Sequence, residues 1–263
     1  MIFSKKISFL ILPIVLLMFS ACTPAKTPTP APTATATQPH WAYEGNDGPS
    51  HWGAIDPSYA ACSTGKEQSP IDLTAADQKD IANVVFHYDI SKVNIINNGH
   101  TIQVNYDTGS SIEVDGKAYD LIQFHFHAPS EHSINGKLAD AEIHLVHRST
   151  DRKLAVVGIL INKGPANSTI QSFWNNLPAE AGPLQKTDAK VNANDFLPAI
   201  QTTYRYAGSL TTPPCTEGVQ WIVMTQPITF SEEQLATFTK LFEGSNRPVQ
   251  ELNGRTEVQD TTP

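Results

Sequence analysis

Short runs of β-branched and aromatic residues follow one another at 84–88, 93–96, 101–106 and 111–114, separated by Asn-Gly, Thr-Gly or Asp-Gly pairs. Such runs between turn-forming pairs read as strands of a meandering antiparallel or mixed sheet. Longer runs at 119–127, 141–147 and 154–161 have strand length and composition. Helical periodicity is confined to 169–177 and 231–243. In the second, Ser231 followed by Gln234 has the form of a capping box, and Leu235, Phe238, Leu241 and Phe242 make an apolar stripe. Residues 40–61 are rich in Trp, Gly, Pro and His without a clear period, and read as irregular chain laid over a core. The pattern predicts a mainly β single domain with a large sheet and a few peripheral helices.

Ahead of this body, Lys5-Lys6 precede an apolar run over residues 7–19 that ends in Ser20-Ala21-Cys22. The run is shorter than the ~20 residues that span a bilayer, and has the length of a signal peptide's apolar region. Small residues before a cysteine resemble the cleavage box of bacterial lipoproteins, with Phe19 where leucine is more usual. The reading is a signal peptide over 1–21 and a lipidated Cys22; ordinary secretory cleavage and a retained anchor are the alternatives. Residues 22–39 are nearly all Thr, Pro and Ala and predict a tether, against a loop folded onto the body. The remainder, 40–263, is long enough for one substantial core. The acidic balance of the whole chain, 18 Lys+Arg against 26 Asp+Glu for a net charge of -8, argues against binding nucleic acid. With Cys22 committed to lipid, Cys62 and Cys215 remain; in an exported chain they can pair, the alternative being two unrelated buried thiols.

Residues 121–127 alternate, so Gln123, His125 and His127 share one face of a strand while Phe124 and Phe126 occupy the other. Imidazoles two residues apart, ~6–7 Å along the strand, can reach one ion. A third ligand comes from His144 if the strand at 141–147 runs beside the first, with Glu142, His144 and Val146 facing the same cleft. Asn135-Gly136 offers a reversal point between the two. Three neutral imidazoles leave zinc an open fourth position. The H-x-H pattern alone is weak, since alternating histidines also occur on ordinary half-buried strands. Gln123 and Glu142, each two residues before a candidate ligand, strengthen it, because a metal-bound imidazole needs a polar partner for its second nitrogen.

Several motifs carry a resemblance: His51-Trp52-Gly53, Gln68-Ser69-Pro70-Ile71, Asn98-Gly99-His100, Gln123-Phe124-His125-Phe126-His127, Ser130-Glu131-His132, Ala141-Glu142-Ile143-His144-Leu145-Val146-His147 and Gly208-Ser209-Leu210-Thr211-Thr212-Pro213-Pro214-Cys215. In this order and spacing, over residues 41–255, the chain resembles the α-class carbonic anhydrases. The resemblance implies that family's fold, a large central, mostly antiparallel twisted sheet with peripheral helices. It implies a zinc enzyme, a hydro-lyase that reversibly hydrates carbon dioxide to bicarbonate and a proton by attack of zinc-bound hydroxide. Zinc falls to His125, His127 and His144, steadied by Gln123, the backbone carbonyl of Asn246 and Glu142 respectively.

By the same resemblance the Thr211 hydroxyl donates to Glu131 and its backbone N–H steadies a substrate oxygen, while Thr212 lies beside bicarbonate. Val146, Val156, Leu210 and Trp221 form the apolar recess for carbon dioxide, and His100 is the proton shuttle at the cavity mouth. Tyr43, Gln103 and Tyr206 join the polar network of the cavity, with Tyr206 near Thr211. Cys62 and Cys215 match the disulfide of exported members, which would hold the loop of Thr211 and Thr212. Ala128-Pro129 departs from the Trp-Gly of many animal members, outside the ligands. His51 and His132 are read as braces, and His147 as facing away from His144. The expected partners are carbon dioxide, bicarbonate, water and the membrane that holds the lipid, at a periplasmic or cell-surface location. The alternative is an inactive binding module on the same fold; such relatives typically lose ligand histidines, and here all three are present.

Overall fold

Among the described residues of the computed structural model, 1–2, 39–75 and 77–262, thirteen strands form one sheet. The expected signal peptide but for Met1 and Ile2, Cys22 and all of the tether but Pro39 lie outside the described residues. Ten strands make the continuous path of the sheet. In chain order they are β1 (Asp77–Lys79), β2 (Ile90–Asn97), β3 (Ile102–Asn105), β4 (Lys117–His127), β5 (Ala141–Arg148), β6 (Leu154–Lys163), β7 (Gln185–Asn192), β8 (Thr203–Ser209), β9 (Glu217–Met224) and β10 (Val258–Asp260). Their order across the sheet is β7-β2-β3-β4-β5-β6-β9-β8-β10-β1. Neighbours on this path are antiparallel except β6 with β9 and β10 with β1. The expectation of a large, mostly antiparallel sheet holds.

The middle of the sheet sits where burial is greatest. β5 is buried at every position but Arg148, and β6 from Ala155 to Ile161; near-continuous apolar runs of this kind are what strands covered on both faces require. β4 and β5 pair so that His125 stands opposite His144, His127 opposite Glu142 and Gln123 opposite Val146. Asn135-Gly136 turns the chain between them, both residues at positive φ (48° and 75°), as a two-residue hairpin turn demands. It does so by closing a small hairpin, Ser133–Ile134 with Lys137–Leu138, that pairs with Asp72–Leu73 in a separate three-stranded sheet. The expected direct reversal between β4 and β5 is therefore replaced by a hairpin inserted between them.

The main core fills the face of β4 and β5 that carries Phe124, Phe126, Ile143 and Leu145, together with Phe173, Trp174, Phe196, Phe230 and Phe238. Both expected helices form but are shorter. α3 is one turn, Gln171–Trp174, because Pro178 disfavours helical backbone just before it. α4, Glu232–Thr239, has the capping box of Ser231 and Gln234 complete and stops well before 243; Gly244 beyond it has a φ of 68°. The segment after residue 40 is not wholly irregular: α1 (Trp52–Ile55) and α2 (Ala61–Thr64) are single turns. Cys62 and Cys215 are joined, with Cα atoms 5.0 Å apart and a sequence separation of 153. Closing a loop of that length is worth about 5 kcal/mol in the chain-entropy account of disulfides. Trp41, Trp52 and Tyr59 pack around the bridge.

Candidate metal centre

Strand parity and register bring three imidazoles to the floor of a cleft. Ring centroids are 5.0 Å apart for His125 and His127, 5.2 Å for His125 and His144, and 4.7 Å for His127 and His144. One nitrogen from each lies within 4.8 Å of the others. The remaining nitrogens are tied off: Gln123 Oε1 is 2.9 Å from His125 Nδ1, the Ser245 carbonyl 2.6 Å from His127 Nδ1, and Glu142 Oε1 2.9 Å from His144 Nε2. His127 Nε2 is buried with no hydrogen-bond partner. A convergent set of imidazoles with their second nitrogens anchored, one pointing an unpaired lone pair into the gap, fits a metal cation.

Burial holds the pKa of His125 well below, and of His127 below, the ordinary histidine value, so both stay neutral and able to ligate. Burial acts the same way on His144, but the adjacent Glu142 carboxylate outweighs it and raises the pKa. For Glu142, burial opposes ionisation, yet His132 and His144 hold it well below the usual carboxylate range. Its carboxylate accepts from four groups. Oε2 takes the backbone N–H of Glu131 and of His132, both at 2.9 Å, and Oε1 takes His132 Nδ1 at 2.7 Å as well as His144. His132 is the expected brace, its Nε2 2.6 Å from the Tyr206 hydroxyl.

Three expectations need correction. The carbonyl facing His127 belongs to Ser245, one residue before Asn246. Ser245 is clamped to Ala128 through its backbone N–H (3.0 Å) and through Oγ, which accepts the Ala128 N–H (3.2 Å), so its carbonyl is the one aimed at the ring. Asn246 instead donates its side-chain amide to the Ser130 carbonyl at 3.4 Å. Tyr206 does not line the cleft. It stacks 6.2 Å behind its cross-strand partner Trp221, which takes the cleft side, and its hydroxyl meets His132 and Ser69. Thr211 lines the cleft but makes no hydrogen bond to Glu131. Glu131 Oε1 accepts the Arg247 N–H at 2.8 Å, while Oε2 has no hydrogen-bond partner and turns toward the ligands, 3.6 Å from His127 Nε2 and 3.9 Å from His144 Nδ1.

The other expected residues are placed together. Val146, Val156 and Trp221 lie side by side on β5, β6 and β9, and with Leu210 line the cleft beside the imidazoles. Thr211 and Thr212 line it from the loop that Cys215 closes, its N–H donating to the Thr212 carbonyl at 2.8 Å. Gln103 sits opposite His125 on β3 and donates to Asn105 Oδ1 at 2.6 Å. The Tyr43 hydroxyl is buried without a partner; burial, and then the Glu131 charge, push its pKa well up, so it stays a neutral phenol. His100 is half-buried at the mouth and stacks on Trp41, with ring centroids 3.6 Å apart. Burial, and then nearby His40, lower its pKa. Sequence reasoning missed Ser245, the Trp41 stack and Arg247. The Arg247 guanidinium is buried against Gln68, Ser69 and Cys62 and so ties the disulfide region to Glu131.

A mostly antiparallel sheet whose central strands aim three anchored imidazoles into a cleft lined in part by apolar side chains is a scaffold that could hold one metal ion on three protein ligands. A family model, eukaryotic-type carbonic anhydrase, matches residues 47–260. A carbonic anhydrase of Nostoc sp. is 43% identical over 249 residues, 92% of this chain and 91% of that protein. One of Pectobacterium carotovorum is 42% identical over 219 residues, 82% and 89% of the two chains. The solved structure of an α-carbonic anhydrase from Thermovibrio ammonificans with the inhibitor sulfanilamide superimposes with a TM-score of 0.82 at 42% identity, covering 84% of this chain and all of that one (100%). The chain belongs to the α-class, eukaryotic-type carbonic anhydrase family.

Proposed function

We propose that the protein catalyses the reversible hydration of carbon dioxide to bicarbonate and a proton, using zinc held by His125, His127 and His144. The observation that carries this reading is the free nitrogen of each anchored imidazole, with the apolar recess directly beside them. Zinc held there supplies Lewis acidity, and with it a water-derived nucleophile near neutral pH, chemistry for which carbonic anhydrases are themselves the standard illustration.

The chain's own residues do the rest. Val146, Val156, Leu210 and Trp221 receive a small, uncharged substrate with little demand for hydrogen bonds. Thr211 presents a hydroxyl and an N–H to oxygen atoms in the cleft, fixing their direction, and Thr212 lies where product leaves. Gln123, Ser245 and Glu142 hold the ligand rings in one tautomer each. At the mouth, His100 is neutral at pH 7 because its pKa is lowered, so it can accept a proton from the cleft and pass it to buffer. Carbon dioxide hydration measured before and after removal of zinc by a chelator, and again after zinc is returned, tests the reading. Loss and recovery are expected; a folded, zinc-replete sample without activity would leave the inactive binding module instead.

The same proposal covers location. A signal peptide over 1–21, lipidation at Cys22, a tether over 22–39 and a catalytic domain over 40–263 place the enzyme outside the cytoplasm, tied to a membrane. The Cys62–Cys215 bridge supports an oxidising compartment, and among the described residues no helix is long and apolar enough to cross a membrane. Cys22→Ser is expected to move the protein from the membrane fraction to the soluble one.

A further inference from the structure

β6 carries Gly158 directly opposite His144, inside an otherwise apolar run, Val156-Val157-Gly158-Ile159-Leu160. A glycine in mid-strand packs nothing and is unfavourable relative to alanine. Its backbone is not in the left-handed region, so conformation does not call for glycine either. A Cβ at this position would lie 2.8 Å from Glu142 Oε1, closer than a methyl group can sit, and only at 3.4 Å and 3.6 Å from Val223 and Trp221. Oε1 is the atom that accepts from both His144 and His132, and Oε2 is held by two backbone amides, so the carboxylate cannot swing aside without losing bonds.

We propose that Gly158 is a positioning residue of the metal centre: the missing side chain is what lets the Glu142 carboxylate lie against β6 and fix the ring of His144. Only the affinity measurement below rests on the zinc reading. In metal-free protein, proton NMR detects the imidazole N–H groups that His144 and His132 share with Glu142. In Gly158→Ala these resonances are expected to move or to broaden by exchange, and zinc affinity, measured by competition with a chromophoric chelator, to fall about ten-fold, as for other residues behind metal ligands. Gly164→Ala is the control for crowding at a distance, since its Cβ would press 2.8 Å from Thr229 Cγ2; it is expected to leave both readouts unchanged. In a Glu142→Ala background the obstacle is gone, so adding Gly158→Ala should change affinity no further. If Gly158→Ala alone does not fold, the double variant should fold as well as Glu142→Ala. Unchanged imidazole signals and affinity in Gly158→Ala, an equal loss with and without Glu142, or a double variant that fails to fold where Glu142→Ala succeeds would each overturn the proposal. Wild-type protein that binds no zinc would defeat the zinc reading and leave the imidazole measurement to decide the role of Gly158.

Discussion

On one side of β4 and β5, His125, His127 and His144 converge; on the other, His147 stands in the main core with its Nε2 2.8 Å from the hydroxyl of Tyr88. His127, His144 and His147 are all almost fully buried. Burial depresses the pKa of His147 to about 3, and lowers those of His125 and His127 too. A buried, neutral imidazole is thus not in itself the mark of a ligand. What separates the two faces is convergence: on the cleft side each ring has one nitrogen anchored and the other turned toward its neighbours, whereas His147, whose Nδ1 is likewise buried without a hydrogen-bond partner, belongs to no such cluster of ligand atoms among the described residues. The largest expected effect breaks the comparison at its strongest point. His144→Ala should abolish zinc retention and lower carbon dioxide hydration more than about a thousand-fold, beyond the 10–100-fold usual for residues behind a ligand. His147→Gln should keep its zinc. Metal content and stopped-flow hydration on the two variants decide this.

The second effect is the converse, on stability. Unfolded His147 takes up a proton near 6.5, but the folded one only at about 3. Between those values the unfolded chain binds the extra proton, so stability is intact above pH 6.5 and falls as pH falls, by about 1.4 kcal/mol per unit for a single group. Over the whole window that amounts to as much as about 5 kcal/mol. His125 and His127 act in the same direction, so the measurement compares variant with wild type. Denaturant unfolding of metal-free His147→Gln should show a flatter decline below pH 6.5; an identical slope would mean that His147 is not neutral in the fold.

These contrasts also mark what could be read along the chain. The two faces of β4 were legible because side chains alternate with period two, and Phe124 and Phe126 declare the core side. The opposition of His125 and His144 was not, because it depends on the hairpin inserted between β4 and β5; the family resemblance supplied it. β8 escaped notice because Arg205 breaks its pattern: the side chain is mostly buried, donating to Thr203 Oγ1 and the Ala82 carbonyl, where alternation expects an outward charge. β7 at the sheet edge is largely exposed and carries Lys186, Asp188 and Lys190, the charged composition that edge strands use and that hides them from a hydrophobic pattern. Ser245 was mistaken for Asn246 because a motif marks a neighbourhood, while which carbonyl faces His127 depends on the turn after Gly244.

A sharper form of the comparison asks what the cleft face does beyond holding a metal. Thr211→Val keeps the volume and the backbone N–H but removes the hydroxyl. If that hydroxyl orients the reacting oxygen, hydration should fall about 100-fold, the order seen when one positioned donor is removed from an active site, with zinc content unchanged. Since Glu131 Oε2 has no partner in this structure and faces the ligands, Glu131→Gln tests whether the two residues act as a pair. A double variant no slower than Thr211→Val alone would show that they do. Additive losses would mean that Glu131 serves the ligand histidines and not the threonine.

The smallest expected effect concerns His100, which belongs to neither face. It sits where the cleft meets solvent, flat against Trp41, with its backbone N–H held by Asn98 Oδ1 at 3.0 Å. Its pKa is lowered by burial and then by His40, so above pH 6.5 it is neutral and ready to accept a proton; its protonated fraction grows only at lower pH. His100→Ala should slow turnover on the order of ten-fold in weak buffer, less than the 10²–10⁴ of a positioned acid–base group, because water and buffer also carry protons. Added imidazole should restore part of the rate, and concentrated buffer should erase the difference. In His40→Ala, removing the neighbour whose electrostatic effect lowers it should raise the pKa of His100 and shift the buffer-limited pH–rate profile upward. Such a shift without any change in zinc content would separate the mouth from the floor of the cleft. A profile that moves with neither variant would mean that protons leave by another path, and the stack on Trp41 would then be packing alone.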